Sequence, residues 1–344
     1  MARKKKTVVL DRDNDIAPGL VAKTKKRLVV ATGRSHPQLA DEVVAEIGTE
    51  LVPTEHRTFA SGEILTRFEV SIRGCDVFLI QSFGPPVNEW LMETLIMLDA
   101  AKRASAKRIT VVAPYYPYSR QDKKGRGREP ISARLVADLL RTAGADRVMS
   151  VDLHAAQIQG FFNGPVDHLF AKPVLLEYFT RTLSAADRAK LTVVSPDTGR
   201  VRVADTWSDS LGAPLAIIHK RRDPNVANKV TVNEIVGDVD GRVCLLVDDM
   251  IDTGGTIVKA AEALKRNGAE RVIVAATHAI FSDPAAERLQ SEAIDEVVVT
   301  DTIPIPEHKQ FPGLTILPIA PLLARGIQAV FEDASVTRMF DGAA

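Results

Sequence analysis

From residue 28 onward the chain alternates short apolar runs with longer stretches in which apolar residues recur every three or four positions. The runs at 28–31, 77–81, 109–113, 148–151, 191–194, 215–218, 243–247, 271–276 and 297–299 are brief and rich in Val, Ile and Leu, so they predict buried strands. The segments 36–47, 89–103, 132–142, 172–182, 256–266 and 321–331 carry a one-sided apolar spacing and predict helices. Strand and helix in alternation predict an α/β fold, with mainly parallel sheets flanked by helices.

The pattern also repeats. Segment 132–154 returns at 256–278, with Ala137/Ala261, Leu140/Leu264, Gly144/Gly268, Ala145/Ala269, Arg147/Arg271, Val148/Val272 and His154/His278 identical. The match predicts an internal duplication, hence two domains of one fold, 28–171 and 172–344. In this register strand 109–113 answers to strand 243–247. The first copy then carries extra residues in 114–130, where Arg120, Lys123, Lys124, Arg126 and Arg128 gather in a Gly-containing loop suited to a polyphosphate. The second copy is acidic there.

A length of 344 residues accommodates two domains, and 45% hydrophobic residues are enough to fill their cores. Aromatics at 5% are too sparse for base-stacking platforms, and 44 basic against 44 acidic residues leave no net charge to favour nucleic acid or a membrane surface. Cys75 and Cys244 both lie in or beside apolar runs, which predicts reduced, buried thiols and a cytoplasmic location. Residues 1–27 hold nine Lys or Arg and three Asp with no apolar core, and so predict a disordered basic tail rather than a secretory peptide.

Chemistry concentrates at 243–256. After the apolar run come Asp248 and Asp249, at the carboxyl end of a predicted strand, where open α/β sheets bind ligands. Asp252, Thr253, Gly254, Gly255 and Thr256 then form a short turn into a helix, and the unpaired N–H groups of such a turn hold phosphate. Two acids that accept from vicinal hydroxyls, beside a phosphate-binding turn, suit a sugar phosphate.

This stretch resembles the phosphoribosyl-pyrophosphate loop shared by type I phosphoribosyltransferases and ribose-phosphate pyrophosphokinases. Five further stretches, 59–64, 95–122, 151–162, 194–197 and 216–222, resemble the second family and not the first. The resemblance implies two duplicated type I phosphoribosyltransferase-like domains, an ATP side at 28–171 and a ribose 5-phosphate side at 172–344. It implies Mg²⁺-dependent transfer of the diphosphoryl group of ATP to ribose 5-phosphate, giving phosphoribosyl pyrophosphate and AMP for nucleotide, His and Trp biosynthesis. It also implies a homohexamer with phosphate and ADP as effectors, and no nucleic-acid or membrane partner.

Carried over by position, Ser61, Gly62, Glu63, Arg120 and Gln121 fall at ATP-binding positions, with Asp76 and Phe78 in a stretch that contributes there. His154 and Asp197 fall at metal positions, and Lys220 and Arg222 at the catalytic phosphate contacts. Arg222, Asp248, Asp249, Asp252, Thr253, Gly254, Gly255 and Thr256 fall at the ribose 5-phosphate site. His278 is expected to be a structural strand-end histidine.

Three positions depart from the commonest pattern: Ser61 for Asn or Asp, Arg200 for a second glycine, and His219 for an Asp. They are expected to alter the ATP contact, the approach of an anion and the pH response respectively, without abolishing activity. Two other functions compete with this one: a phosphoribosyltransferase that consumes phosphoribosyl pyrophosphate, and a non-catalytic subunit that regulates a partner enzyme. The first leaves the basic loop and 220–222 without work, and the second leaves His154, Asp197, Lys220 and Arg222 unexplained.

Overall fold

The computed structural model describes residues 26–221 and 232–340, and only the backbone of Lys220, Arg221, Val232 and Asn233. Apart from Lys26 and Arg27, the tail expected at 1–27 lies outside the described residues.

The first half contains β1 (Leu28–Thr32), α1 (Pro37–Ile47), β2 (Thr54–Thr58), β3 (Ile64–Phe68), β4 (Asp76–Ile80), α2 (Val87–Arg103), β5 (Arg108–Ala113), α3 (Ser132–Ala143), β6 (Arg147–Val151), β7 (Val166–Leu169) and α4 (Lys172–Thr182). The second contains α5 (Ala185–Ala189), β8 (Leu191–Ser195), α6 (Val201–Leu211), β9 (Leu215–Arg221), β10 (Val232–Val236), β11 (Val243–Ile251), α7 (Gly255–Arg266), β12 (Arg271–Ala279), α8 (Ala285–Leu289), β13 (Glu296–Thr300), β14 (Leu314–Leu317) and α9 (Ala320–Phe331). The first sheet is parallel in the order β1-β4-β5-β6-β7. The second, β10-β9-β8-β11-β12-β13-β14, is parallel except for β10, which runs antiparallel to β9. Strands β2 and β3 form a separate antiparallel hairpin. The α/β class expected from the alternation is the observed one.

Every apolar run named from the sequence is a strand. Most segments that escaped the pattern lack an apolar run or a wide apolar face; β14, Leu-Thr-Ile-Leu, has the run but is only half-buried. Strands β2 and β3 have no fully buried residue, and α6 buries only Ala204 and Trp207.

The duplication is present, but its register is corrected. In the second sheet the spatial order by chain position, from β9, is second, first, third, fourth, fifth, sixth. The first sheet has the same order once the parallel bridge from Leu51 to Val30 stands for its second strand. Strand β5 is thus the counterpart of β12, not β11, and the connection from β5 to α3 is the counterpart of β12 to α8. The matched segments were drawn together by a shared helix-glycine-strand grammar: Gly144 and Gly268 each follow a helix with a positive φ, 130° and 88°, open to glycine at little cost.

Helix α4, which begins at the expected boundary of 171/172, belongs with the second sheet, whereas α9 crosses back to the first. Helix α4 lies on the second half, where Phe179 packs edge-on against Trp207 of α6 and the Tyr178 hydroxyl donates to Glu296 of β13 at 2.6 Å. Helix α9 returns to the first half beside α1, and its Gly326 faces Met149 and Leu169 closely enough that a methyl group there would meet both. One apolar cluster accordingly includes residues of both sheets, from Val30 and Phe78 to Leu245 and Ile273. This packing sets the carboxyl ends of the two sheets toward each other. Among the described residues no helix is long and apolar enough to cross a membrane.

Candidate active site

The strand carrying the two acids is longer than its apolar run. Pairing of β11 with β12 continues through Asp248↔Ala276, Met250↔His278 and Ile251↔Ala279, whereas pairing with β8 stops at Leu246↔Val194. Asp248 and Asp249 therefore lie inside β11 rather than beyond it, which corrects the expected strand end. They stand where β8 has turned away toward Asp197 and left one edge of β11 open. Their side chains are 17% and 9% exposed, and the Asp249 N–H donates to Asp248 Oδ1 at 2.8 Å.

The turn that follows has Gly254 at φ +73°, a left-handed conformation, before α7 starts at Gly255. The first-turn N–H groups of α7 have no helical partner and open onto the acids. Arg288 Nη1 donates to the Thr253 carbonyl at 3.0 Å and fixes the turn from α8. A cavity of about 320 Å³ is lined by Arg120, His154, Asp197, Arg200 and residues 248–257. A second depression of about 340 Å³ lies beside Thr66–Phe68 and Val70–Arg73, and no carboxylate lines it.

Two cations reach the acids. Arg120 Nη1, from the basic connection after β5, lies 2.7 Å from Asp252 Oδ2. Arg200, the N-cap residue of α6, places Nη2 2.5 Å from Asp249 Oδ1 and Nε 3.5 Å from Asp248 Oδ1. Its Nη1 also donates to the His154 carbonyl at 3.2 Å. His154 Nδ1 is 2.8 Å from Asp249 Oδ2 and 2.7 Å from Arg200 Nη2. A ring nitrogen carries either a proton or a lone pair, so Nδ1 serves only one of them. Burial pushes Asp249 up, but the His154 hydrogen bond and the Arg200 charge outweigh it and hold Asp249 down to about 2. With Nδ1–H donating to the ionised carboxylate, Nε2 is the ring nitrogen left to face a ligand. Burial and the neighbouring Asp249 push Asp248 well above the usual carboxylate range.

Asp197 Oδ1 accepts from the N–H groups of Gly199 at 2.8 Å and Arg200 at 3.1 Å. Among the described residues no group of three or more His, Cys, Asp or Glu converges as a metal cage. Asp197 and His154 could still supply one oxygen and one nitrogen to a hard divalent cation whose other ligands are phosphates and water, the usual mode for Mg²⁺.

The remaining expected site residues are dispersed. Ser61, Gly62 and Glu63 occupy the exposed tip of the β2–β3 hairpin, outside the cavity lining, where Ser61 Oγ donates to Glu63 Oε2 at 2.9 Å. Gln121 Oε1 accepts from Ser132 Oγ at 2.6 Å at the start of α3. The basic loop closes on Glu129 Oε2, which accepts from the N–H groups of Gly125 and Arg126, both at 2.8 Å. Asp76 and Phe78 are buried in β4: Asp76 opens the strand at the end away from the cavity and is forked by Arg108 at 2.6 and 3.0 Å, and Phe78 belongs to the core. Their contribution is structural, a correction to the expected one. The Lys220 side chain and all of Arg222 lie outside the described residues.

The sequence pattern singled out Arg200 only as a departure. Its place on both acids was hidden because α6, whose start positions it, was not anticipated.

Residues 28–144 match the family described as the N-terminal domain of ribose phosphate pyrophosphokinase, and residues 222–341 match the phosphoribosyl synthetase-associated domain. The ribose-phosphate pyrophosphokinase of Streptomyces avermitilis is 60% identical over 323 residues, covering 94% of this chain and 99% of its own. That of Mycobacterium tuberculosis strain H37Rv is 59% identical over 319 residues, covering 92% and 97%. Among solved structures, phosphoribosylpyrophosphate synthetase from Mycobacterium smegmatis matches with a TM-score of 0.85 at 57% identity, over 90% of this chain and 100% of the other.

Proposed function

This chain belongs to the ribose-phosphate pyrophosphokinase family, and from that premise we infer how its cavity works. The reaction transfers the diphosphoryl group of ATP to the 1-hydroxyl of ribose 5-phosphate: the hydroxyl oxygen bonds to the β-phosphorus, the bond from that phosphorus to the α-phosphate oxygen breaks, and AMP leaves.

The observation that carries the assignment is the shared cavity of Asp248, Asp249 and the Gly254 turn. The acids accept from the ribose hydroxyls while Asp252, Thr253, Gly254, Gly255 and Thr256 hold the 5-phosphate. Arg120, on Asp252, marks the border with ATP, and Gln121 and the basic loop after it line the nucleotide side. Lys220, near the end of β9, and Arg222, two residues further along the chain, contact the transferring phosphates as charge redistributes. Ser61, Gly62 and Glu63 stand too far out on their hairpin to line this cavity. They therefore serve ATP from a second copy, which fits a homohexamer with phosphate and ADP as effectors.

Mg²⁺ held by Asp197 and His154 Nε2 would neutralise phosphate charge on the nucleotide. The Asp249–His154 hydrogen bond orients the imidazole for that role. The enzyme works in nucleotide biosynthesis, and the two buried free cysteines fit the cytoplasm.

The test is to incubate the full chain with ATP, Mg²⁺ and ribose 5-phosphate. AMP and phosphoribosyl pyrophosphate are the expected products; ADP in place of AMP, or no turnover, overturns the assignment.

A further inference from the structure

Four acids line the cavity, Asp197, Asp248, Asp249 and Asp252, and neighbouring cations hold Asp249 and Asp252 in the ionised form. A sugar phosphate adds charge of the same sign, so binding it requires a cation close to the acids. Two sources exist: a divalent ion recruited from solution, or a side chain already in place. The Arg200 side chain is only 15% exposed and touches Asp248, Asp249 and the His154 carbonyl through three of its nitrogens. Its backbone N–H is anchored to Asp197 Oδ1, and its position at the start of α6 directs it across the open edge of β11. A guanidinium held at three points, on a backbone anchored at a fourth, fills the place between the two acids that a hard cation would otherwise take.

We propose that Arg200 is a positioning residue acting as a tethered counter-cation of the ribose 5-phosphate site, so that the sugar phosphate binds this chain without a divalent ion. Divalent ions are then needed for the nucleotide alone. The proposal rests on the ribose 5-phosphate assignment above.

Coulomb attraction in a partly desolvated cleft is far stronger than in water, so a preplaced charge offsets much of the repulsion between acids and phosphate. Being covalently attached, the guanidinium also avoids the entropic cost of recruiting an ion. Its planar fork engages the acids and the His154 carbonyl together, a geometry that an ammonium group reproduces only in part.

The experiment measures ribose 5-phosphate binding calorimetrically, without nucleotide, in EDTA and in excess Mg²⁺. For the wild-type chain the two dissociation constants should agree within about threefold. Arg200→Gln should bind about tenfold or more weakly in EDTA, the loss expected for one charge-assisted contact, and regain most of it in Mg²⁺ as the ion takes the emptied place. Arg200→Lys should fall between wild type and Arg200→Gln in EDTA, because the charge remains but the fork does not. The proposal is overturned if wild-type binding needs Mg²⁺, if Arg200→Gln binds normally in EDTA, or if it is weakened equally in both buffers, as a merely structural residue would be. The wild-type comparison decides the question even where a variant does not fold. Release of AMP by the same wild-type preparation separates failure of this proposal from failure of the assigned reaction.

Discussion

The Thr277 hydroxyl on β12 donates to Asp152 Oδ2, just past β6, at 2.6 Å, joining the second sheet to the first two residues before His154. His278 continues the seam: Nε2 lies 3.1 Å from the Val151 carbonyl and 3.2 Å from that of Asp152, Nδ1 lies 2.9 Å from Thr302 Oγ1, and Tyr115 packs edge-on at 5.0 Å. His278 is fully buried and its ring nitrogens are engaged with backbone and hydroxyl, which makes it the structural histidine that the sequence suggested.

His278→Ala should therefore act on folding. It leaves two buried carbonyls short of a donor and opens a void, at a cost of about 2–4 kcal/mol. Urea unfolding should show that loss, while ribose 5-phosphate affinity of the folded protein stays within about threefold. Normal stability with lost turnover would make His278 a functional group instead.

The same seam controls the response to pH. Burial lowers His168 and His278 to about 4, so both are neutral in the fold, and the stability this confers is present above the unfolded value near 6.5 and lost as pH falls toward 4. Burial raises Asp152 and Asp301 to about 6. Their contribution has the opposite sense: it is present below the unfolded value of 3.8 and is lost as pH rises through 6. The two pairs oppose each other between pH 4 and 6.5.

Asp152→Asn removes one of the acids. Both donors to it, Thr277 Oγ1 and the Ala171 N–H, meet the same oxygen, which an amide carbonyl can replace, and Asn tolerates the left-handed φ of 38° at this position. The variant should gain about 1–2 kcal/mol at pH 8 and lose stability more steeply than wild type between pH 6.5 and 4. Denaturant melts across that range check both slopes. A loss at pH 8 would show that the carboxylate is needed ionised.

The sequence revealed nine strands because each buries a short run rich in Val, Ile or Leu, and it revealed the 248–256 turn because Asp, Gly and Thr are contiguous there. What it hid is non-local. Arg200 meets Asp248 and Asp249 across the gap where β8 leaves β11, and no spacing encodes that approach. The return of α9 to the first sheet was hidden for a related reason: an apolar face shows that a helix is covered, not by which sheet. The false repeat register came from local grammar alone, since any helix closed by glycine and followed by a buried strand looks alike.

Arg120 and Asp252 couple the two substrate sides. Sequence reasoning expects Arg120→Ala to weaken ATP and spare ribose 5-phosphate, but the 2.7 Å pair joins the loop after β5 to the sugar-phosphate turn. Side chains that are 51% and 25% exposed limit the coupling to about 1 kcal/mol, or roughly fivefold in affinity. Arg120→Ala should thus weaken ATP strongly and ribose 5-phosphate by up to about fivefold. Thr256→Val should weaken only the sugar phosphate, whereas Asp249→Ala should also weaken the Mg²⁺-nucleotide, because it removes the acceptor that orients His154. A double-mutant cycle with Asp252→Asn measures the coupling, and full additivity for ribose 5-phosphate would show that the pair carries none.

Lys220 separates an enzyme from a non-catalytic subunit. The backbone places it near the end of β9, opposite Asn233 of β10, at the carboxyl end of the sheet that also bears the acids. If its ammonium meets the transferring phosphoryl oxygens chiefly in the transition state, removing it lowers turnover and barely moves substrate dissociation constants. Loss of one preorganised donor of this kind costs about 10² to 10³ in kcat, or roughly 2.7 to 4 kcal/mol. Lys220→Ala should fall by at least that factor, and Arg222→Ala should weaken ribose 5-phosphate as well. Neither residue is apolar and neither change removes an apolar side chain, so the thermal midpoint should hold. Steady-state kinetics with AMP detection, beside calorimetric binding of each substrate, resolves the two effects; a Lys220→Ala protein that turns over at the wild-type rate removes this residue from the chemistry.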